Sequence, residues 1–184
     1  MPLNTSPSGL VGIVEKIIGI LFLVPSSMLS TVSALSAQNI GAGKHDRAKQ
    51  TLRYAILISC AFGVISVTAM QITPETVIAL FTKDSEVIRL GSQYMRGYVW
   101  DCILAGIHFC FSGYFCACGA SWISFVHNLI AILCARIPLA YLASNLFANT
   151  LFPMGLATTT GSFVSVVICI LFFLWMERKR KMDT

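Results

Sequence analysis

Five long apolar runs dominate the sequence, and none of them carries more than two charged side chains. An α-helix needs about 20 residues to cross roughly 30 Å of hydrocarbon, and each run reaches that length. Inside a bilayer only helices and closed barrels satisfy every main-chain polar group, and runs of this length suit helices. The sequence therefore predicts an all-α, polytopic membrane helix bundle with about five transmembrane helices. The expected spans are residues 10–36, 51–72, 97–118, 123–142 and 154–176.

The composition excludes a water-soluble domain. Hydrophobic residues make up 56% of the 184-residue chain, charged residues only 11%, and the mean hydropathy is +0.77. A formal net charge of +5 would suggest a nucleic-acid partner for a soluble chain, but here the cations cluster at the ends of apolar runs, where they orient a membrane protein. We therefore expect the lipid bilayer as a partner and no nucleic acid.

The seven cysteines give no sign of a metal site or of disulfides. They lie inside apolar segments without the spacing of metal ligands, which is typical of small packing residues. Cys116 and Cys118 form a CxC pair, but side chains two residues apart on a helix point about 200° apart. The sequence also shows no pairing of a nucleophile with a base. We therefore expect no metal, no organic cofactor and no enzymatic activity.

A basic turn separates the first two apolar runs. Gly41 and Gly43 give the backbone the freedom for a sharp reversal, and residues 44–53 carry a local charge of about +3. Such a turn at a membrane edge is expected to face the cytoplasm. An ordinary connection between two helices, with a solvated run of charges, would show the same pattern.

The other charged segments agree with that orientation. Residues 74–96 are amphipathic and their charges sum to about zero, which is typical of an external connection that lies along the membrane interface. Five spans then return the basic tail, residues 177–184, to the cytoplasm. The short polar N-terminal tail, residues 1–9, lacks the features of a signal peptide. Its placement outside the cell suggests that a preceding span is missing.

Two prolines lie within predicted spans. Pro25 and Pro138 each remove a main-chain hydrogen bond, and both are expected to kink their helices. Small residues follow Pro25, and they would let a neighbouring helix approach closely. Their hydroxyls would serve equally well to line a polar path.

Asp101 and Arg136 are the main candidates for ion coupling or transport. Asp101 lies a few residues inside the third span, where an unpaired charge is costly, although it would also fit a helix cap or a side chain that reaches the external interface. Arg136 lies at a similar depth, about 20 Å from the cytoplasmic end at 1.5 Å per residue. We therefore predict a contact between the two, which would favour a structural or gating role over proton carriage. The alternative is that Arg136 satisfies carbonyls freed by Pro138.

His108 is a weaker candidate for transport. It follows Asp101 by two helical turns on the same face, so that a proton could pass between them, but hydrogen-bonded packing is the alternative. His127 is expected to satisfy a helix end. Glu15 and Lys16 diverge by about 100° on their helix and therefore need separate partners, one of which a missing helix could supply.

Several motifs occur in an order that resembles one known family. The cytoplasmic loop motif QNIGAGKHDR contributes Gln38, Gly41, Gly43, Lys44 and Arg47. It is followed by LFTKDSEVIRLGSQYMRGY, FSGYFCACGASWISF, ARIPLAYLAS and LFPMGLA. From about Gly9 onwards the chain resembles the second half of a multidrug and toxic compound extrusion (MATE) transporter. It corresponds to helices eight to twelve of the family's twelve, so that the first lobe and the seventh helix are missing.

This resemblance implies one incomplete lobe of an antiporter in which an Na⁺ or H⁺ gradient drives the export of organic, often cationic, compounds by alternating access. Asp101 stands near the position where some members carry a helix-ten aspartate proposed to bind the coupling ion. The resemblance also implies a multi-pass plasma-membrane protein, in a bacterial inner membrane, that needs a complementary N-terminal lobe or a second copy. The alternatives are a truncated, transport-inactive remnant and a lipid-linked sugar flippase of related fold.

Overall fold

The computed structural model describes residues 7–146 and 150–182, and every regular element in these ranges is a helix. The elements are α1 (Pro7–Leu21), α2 (Leu23–Gly41), α3 (His45–Ile72), α4 (Pro74–Ala79), α5 (Ser85–Tyr98), α6 (Asp101–Ala117), α7 (Ser121–Ile130), a π-helical segment (Ala131–Arg136), α8 (Ile137–Leu146) and α9 (Phe152–Met182). Most of the predicted N-terminal tail, residues 147–149 of the last link and the end of the basic tail lie outside the described residues.

Four segments of the described chain are long and apolar enough to cross a membrane: Val14–Gly41, His45–Ile72, Ser121–Leu146 and Phe152–Arg180. Helices α5 and α6 together form a fifth candidate span, bent by 43° at the break between them. The chain is thus an all-α, polytopic helix bundle, and the predicted fold class is confirmed.

The first predicted span consists of two helices that meet at Phe22. Pro25 accounts for the break, because it has no N–H to donate to the Leu21 carbonyl and its ring crowds that carbonyl. The hydrogen bonds on either side are intact: Phe22 N donates to Ile18 O at 2.9 Å and Ser26 N donates to Phe22 O at 3.0 Å. The break is therefore confined to one residue, and the chain continues as a single candidate span.

The amphipathic segment at residues 74–96 forms α4 and most of α5. The Asp84 side chain caps α5 by accepting a hydrogen bond from Glu86 N at 2.9 Å. Helix α5 then packs on α9, α4 and α1, and it buries Val87 and Met95. Much of its apolar face is thus covered by other helices, and the expected position of the segment along the membrane interface stays a prediction.

Two glycines make the sharp reversals of the chain possible. Gly43, between α2 and α3, has φ +72°, and Gly119, between α6 and α7, has φ +73°. This left-handed conformation favours glycine because a Cβ atom would be strained there. Gly41, which the sequence also assigned to the first turn, is instead the last residue of α2.

The basic turn and the basic tail lie at the same end of the bundle. Lys49 Nζ, in the first turns of α3, is 2.6 Å from Glu177 Oε2 near the end of α9. Side chains from the start of α3 and the end of α6 form one apolar cluster at this end, and α1, α4 and α5 contribute to a second cluster at the other. The helices α6 and α9 run through both halves and carry the polar residues described next.

Candidate functional site

A buried ion pair joins α6 to the π-helical segment. Asp101 is the first residue of α6 and its side chain is 0% exposed. Arg136 Nη2 lies 3.4 Å from Asp101 Oδ2, which is the contact predicted from the depth of the two residues. The same nitrogen donates a hydrogen bond to Ser162 Oγ on α9 at 2.9 Å. Three helical segments therefore converge on one guanidinium group.

The local sequence explains how Arg136 reaches this position. The segment Ala131–Arg136 is π-helical and is followed closely by Pro138, which has no N–H to continue the α-helical hydrogen bonds. A π-helical turn shifts the side chains relative to an α-helix, and such turns are frequent at functional sites. On α9, Gly161 leaves room for the Arg136 stem, because a Cβ atom at this position would collide with Arg136 Cγ.

Among the described residues, the Arg136 side chain makes no hydrogen bond to the carbonyls near Pro138. In the described part of the chain its hydrogen bonds go to Asp101 and Ser162. Arg136 Nε is buried without a hydrogen-bond partner there, and so is Asp101 Oδ1. The carboxylate thus uses one oxygen in the ion pair, and the other has the lone pairs to accept a proton or a cation.

A second buried polar cluster lies deeper along the same helices. His127 on α7 is 1% exposed, and it is hydrogen-bonded through Nε2 to Ser112 Oγ at 2.9 Å and through Nδ1 to Ser165 Oγ at 3.2 Å. These bonds link α7 to α6 and to α9. The expectation that His127 satisfies a helix end is wrong, because its ring is buried between three helices.

His108 belongs to this second cluster. Its ring is buried, with the ring centroids of His108 and His127 5.7 Å apart and those of His108 and Phe109 4.7 Å apart. No hydrogen bond joins it to Asp101 among the residues that the structure describes, although both lie on one face of α6. The geometry therefore groups His108 with His127 and leaves Asp101 with Arg136.

The sequence reasoning missed the serines that complete both clusters. Ser162 and Ser165 lie three residues apart on α9, and Ser112 lies four residues after His108 on α6. Residues three or four apart share a helix face. The helical spacing of these serines within otherwise apolar spans is the sequence pattern that could have identified them.

Comparison with known proteins decides the family. The MatE family model matches residues 5–142, which is more than half of the 184-residue chain. The chain belongs to the MatE family. The predicted resemblance to MATE proteins, which are transporters, is confirmed, and the buried polar clusters lie within the candidate membrane spans of this MATE chain.

A curated relative agrees with this assignment. The "Probable multidrug resistance protein YoeA" of Bacillus subtilis (strain 168) is 21% identical over 170 residues, which cover 92% of this chain and 37% of the relative. The MATE chain thus spans little more than a third of the length of that relative. No solved structure matches the chain.

The loop motif of this MATE chain is separate from the buried clusters. Gln38, Gly41, Gly43, Lys44 and Arg47 are all exposed at the turn between α2 and α3. This turn is at the end of the bundle where Lys49 meets Glu177, whereas Asp101 lies at the start of α6. The structure therefore gives the motif no contact with the ion pair.

Several polar side chains of α1 and α2 are exposed, next to exposed apolar ones such as Ile20, Leu23 and Leu35. Glu15 and Lys16 are exposed on α1, and no ion pair involves them in the described residues. On α2 the exposed polar residues are Ser26, Ser27, Ser30, Thr31 and Gln38. Ser26, Ser27 and Thr31 donate to main-chain carbonyls three or four residues earlier, which makes them compatible with lipid. The charged Glu15 and Lys16, in a segment apolar enough to cross a membrane, are unlike residues that face lipid.

Proposed function

We propose that this chain is the C-terminal part of a cation-coupled multidrug antiporter that exports organic, often cationic, compounds by alternating access. Membership of the MatE family and the multidrug-resistance name of the Bacillus relative support export as the activity. The single observation that carries the coupling proposal is the Asp101–Arg136 pair, in which the fully buried carboxylate keeps one oxygen without a hydrogen-bond partner among the described residues.

The geometry suggests how coupling would work. In one state Asp101 is paired with Arg136, which ties the start of α6 to the π-helical segment. In the other state a proton or Na⁺ neutralises the Asp101 carboxylate, and Arg136 remains hydrogen-bonded to Ser162 on α9. A ligand that binds one state better shifts the balance between them. Cation binding would thus release the start of α6 from the π-helical segment, which stays attached to α9 through Ser162, and this is the kind of helix rearrangement that alternating access requires.

We propose that the exposed surface of α1 that carries Glu15 and Lys16 packs against a complementary N-terminal lobe, or against a second copy of the chain. A charged side chain inside a bilayer costs about 2.5–3.5 kcal/mol on insertion scales, so Glu15 and Lys16 need polar neighbours. The greater length of the relative supports a missing lobe. An open reading frame just upstream that encodes about seven helices would supply it.

We propose further that the protein lies in a bacterial inner membrane with its C-terminus in the cytoplasm. The ion pair between Lys49 and Glu177 supports a common side for the two basic segments, and the positive-inside rule favours the cytoplasm for both. In a cysteine-free background, Lys44→Cys and Lys179→Cys are expected to react with a membrane-impermeant maleimide from the cytoplasmic side. Labelling from opposite sides of the membrane would contradict the topology.

Transport in proteoliposomes tests the function. The chain is reconstituted alone and together with the upstream lobe, and ethidium movement is followed under an Na⁺ or a proton gradient. We expect export by the assembled lobes, and a loss of at least tenfold with Asp101→Asn. Glu86→Gln makes the same chemical change at an exposed position on α5 and should leave export intact.

Two results would count against the proposal. Undiminished gradient-driven export with Asp101→Asn would remove Asp101 from coupling. An absence of export by the assembled lobes, with the chain correctly folded and inserted, would favour the transport-inactive remnant.

A further inference from the structure

A groove lies between the start of α7 and the part of α9 where the apolar residues give way to the basic ones. It encloses about 420 Å³ and is largely open to the surroundings. Most of its lining is apolar, and two cations stand at one side. The side chains that matter here are Trp122, Ile123, Trp175, Met176, Lys179 and Arg180.

The aromatic side chains place this groove at a membrane interface. Trp122 and Trp175 are about half exposed and flank Phe172, whose ring makes edge contacts with both at centroid distances of 5.6 and 6.4 Å. Tryptophan is enriched at the level of the lipid headgroups, where the apolar part of its ring contacts hydrocarbon and its N–H group can hydrogen-bond to water or headgroups. The groove thus crosses from the hydrocarbon region to the headgroup region.

The cations lie on the headgroup side of the aromatic rings. Lys179 Nζ is 5.7 Å from the centre of the Trp175 ring, which directs the ammonium group along the groove. Arg180 lies beside it, and its Nη1 is 3.5 Å from Glu177 Oε1. Glu177 itself is paired with Lys49 at 2.6 Å. Glu177 therefore bridges Lys49 and Arg180, whereas Lys179 has no acid within ion-pair distance among the described residues, and the groove keeps a net positive charge.

We propose that this groove binds an anionic phospholipid of the surrounding leaflet. Its acyl chain would lie along Ile123, Met176 and the two tryptophans, and its phosphate would lie at Lys179 and Arg180. Charge complementarity selects this occupant, because an organic cation would be repelled by the two cations. A free phosphate ion would leave the apolar lining unused. The proposal stands on the groove alone and does not depend on transport activity.

Fluorescence quenching by brominated lipids tests the proposal. Trp122 and Trp175 line the groove, and Trp100 lies at the other end of α6, so Trp100→Phe leaves the two groove residues as reporters. The full chain with this substitution is reconstituted in phosphatidylcholine vesicles. Phosphatidylglycerol or phosphatidylcholine with brominated acyl chains is then added at increasing mole fractions, and tryptophan emission is recorded.

We expect brominated phosphatidylglycerol to quench at lower mole fractions than brominated phosphatidylcholine. A single Lys or Arg near the surface is worth about 1 kcal/mol towards anionic lipid, which corresponds to about fivefold. Lys179→Gln should therefore reduce the preference about fivefold. Arg178→Gln is the matched control, because it removes the same charge from an exposed neighbour outside the groove, and the preference should stay within about twofold.

Three results would overturn the proposal. Equal quenching by the two lipids would show no anionic preference. Equal effects of Lys179→Gln and Arg178→Gln would assign the preference to the general charge of the tail. Relief of quenching by excess inorganic phosphate at constant ionic strength would identify a site for the phosphate ion rather than for the lipid.

Discussion

Separate and combined removal of Asp101 and Arg136 tests whether the buried pair is a true ion pair. The perturbation is a double-mutant cycle with Asp101→Asn, Arg136→Gln and the double variant. Asp101→Asn removes a charge and keeps the shape of the side chain, whereas Arg136→Gln also shortens the side chain and removes the hydrogen bond to Ser162. The two side chains are not equally sheltered: Asp101 is 0% exposed and Arg136 is 33% exposed. The single variants should therefore differ in their cost.

The structure sets the expected magnitudes. Breaking a buried ion pair by removing one partner costs about 3–5 kcal/mol, but the 3.4 Å separation is longer than the roughly 2.7–2.9 Å of strong charge-assisted hydrogen bonds. We expect Arg136→Gln to cost about 2–3 kcal/mol, because it leaves a buried carboxylate without a cation. Asp101→Asn should cost about 1–2 kcal/mol, because Arg136 keeps its hydrogen bond to Ser162.

The measurement is reversible unfolding in mixed micelles with increasing SDS, followed by circular dichroism. The double variant should be less destabilised than the sum of the single ones, with a coupling energy of about 1–2 kcal/mol. Neutral hydrogen bonds between membrane helices average about 0.6 kcal/mol, so a coupling near that value would mean that the pair is not ionised. Additivity within about 0.5 kcal/mol would refute the energetic link altogether.

Three further substitutions test the packing in the same unfolding assay. Gly155→Ala should destabilise by about 1–3 kcal/mol, because its Cβ atom would lie 2.5 Å from the Tyr94 carbonyl oxygen, whereas Gly19→Ala, with nothing within 4 Å, should not. His127→Phe should cost about 1–3 kcal/mol, because it leaves the buried Ser112 hydroxyl without its partner, whereas Ser165 Oγ keeps its hydrogen bond to the main-chain carbonyl of residue 127; an unchanged midpoint would contradict this. Lys49→Glu should destabilise by about 1 kcal/mol. Addition of Glu177→Lys should restore the midpoint only in part, because it re-forms the pair with residue 49 but loses the pair with Arg180; a double variant with the summed cost of the two single variants would contradict the ion pair.

The features that hydrophobic period and charge determine were predictable from the sequence. The apolar runs correspond to helices because few other structures satisfy the hydrogen bonds of main-chain groups in lipid. The contact between Asp101 and Arg136 was predictable from their depth alone, because an unpaired charge inside a bilayer is costly and two opposite charges at the same depth lower that cost by pairing. Pro25 marked the break in the first span because its chemical effect is local and does not depend on neighbours.

Features that depend on which helix faces which were not predictable. The burial of α5 against α9 arises where Gly97 and Gly155 let two helices approach, and neither residue alone indicates its partner. The prediction that His127 satisfies a helix end was wrong for the same reason. Its position in the sequence gives its depth, but its hydrogen-bond partners lie on two other helices.

The two polar clusters are built in different ways, which suggests different roles. His127 uses both ring nitrogens, each bonded to a serine on a different helix, so His127 itself is a satisfied joint between α6, α7 and α9. Nδ1 of the neighbouring His108 is buried without a hydrogen-bond partner among the described residues, but an imidazole, unlike the Asp101 carboxylate, carries no negative charge that attracts a cation. The Asp101 cluster is incompletely satisfied, since one carboxylate oxygen and Arg136 Nε lack partners within the described residues. A buried polar group without a hydrogen bond is costly and gains most from a new ligand. A cation that binds the chain is therefore expected to act at Asp101, while the histidine joint holds the same helices together deeper in the bundle.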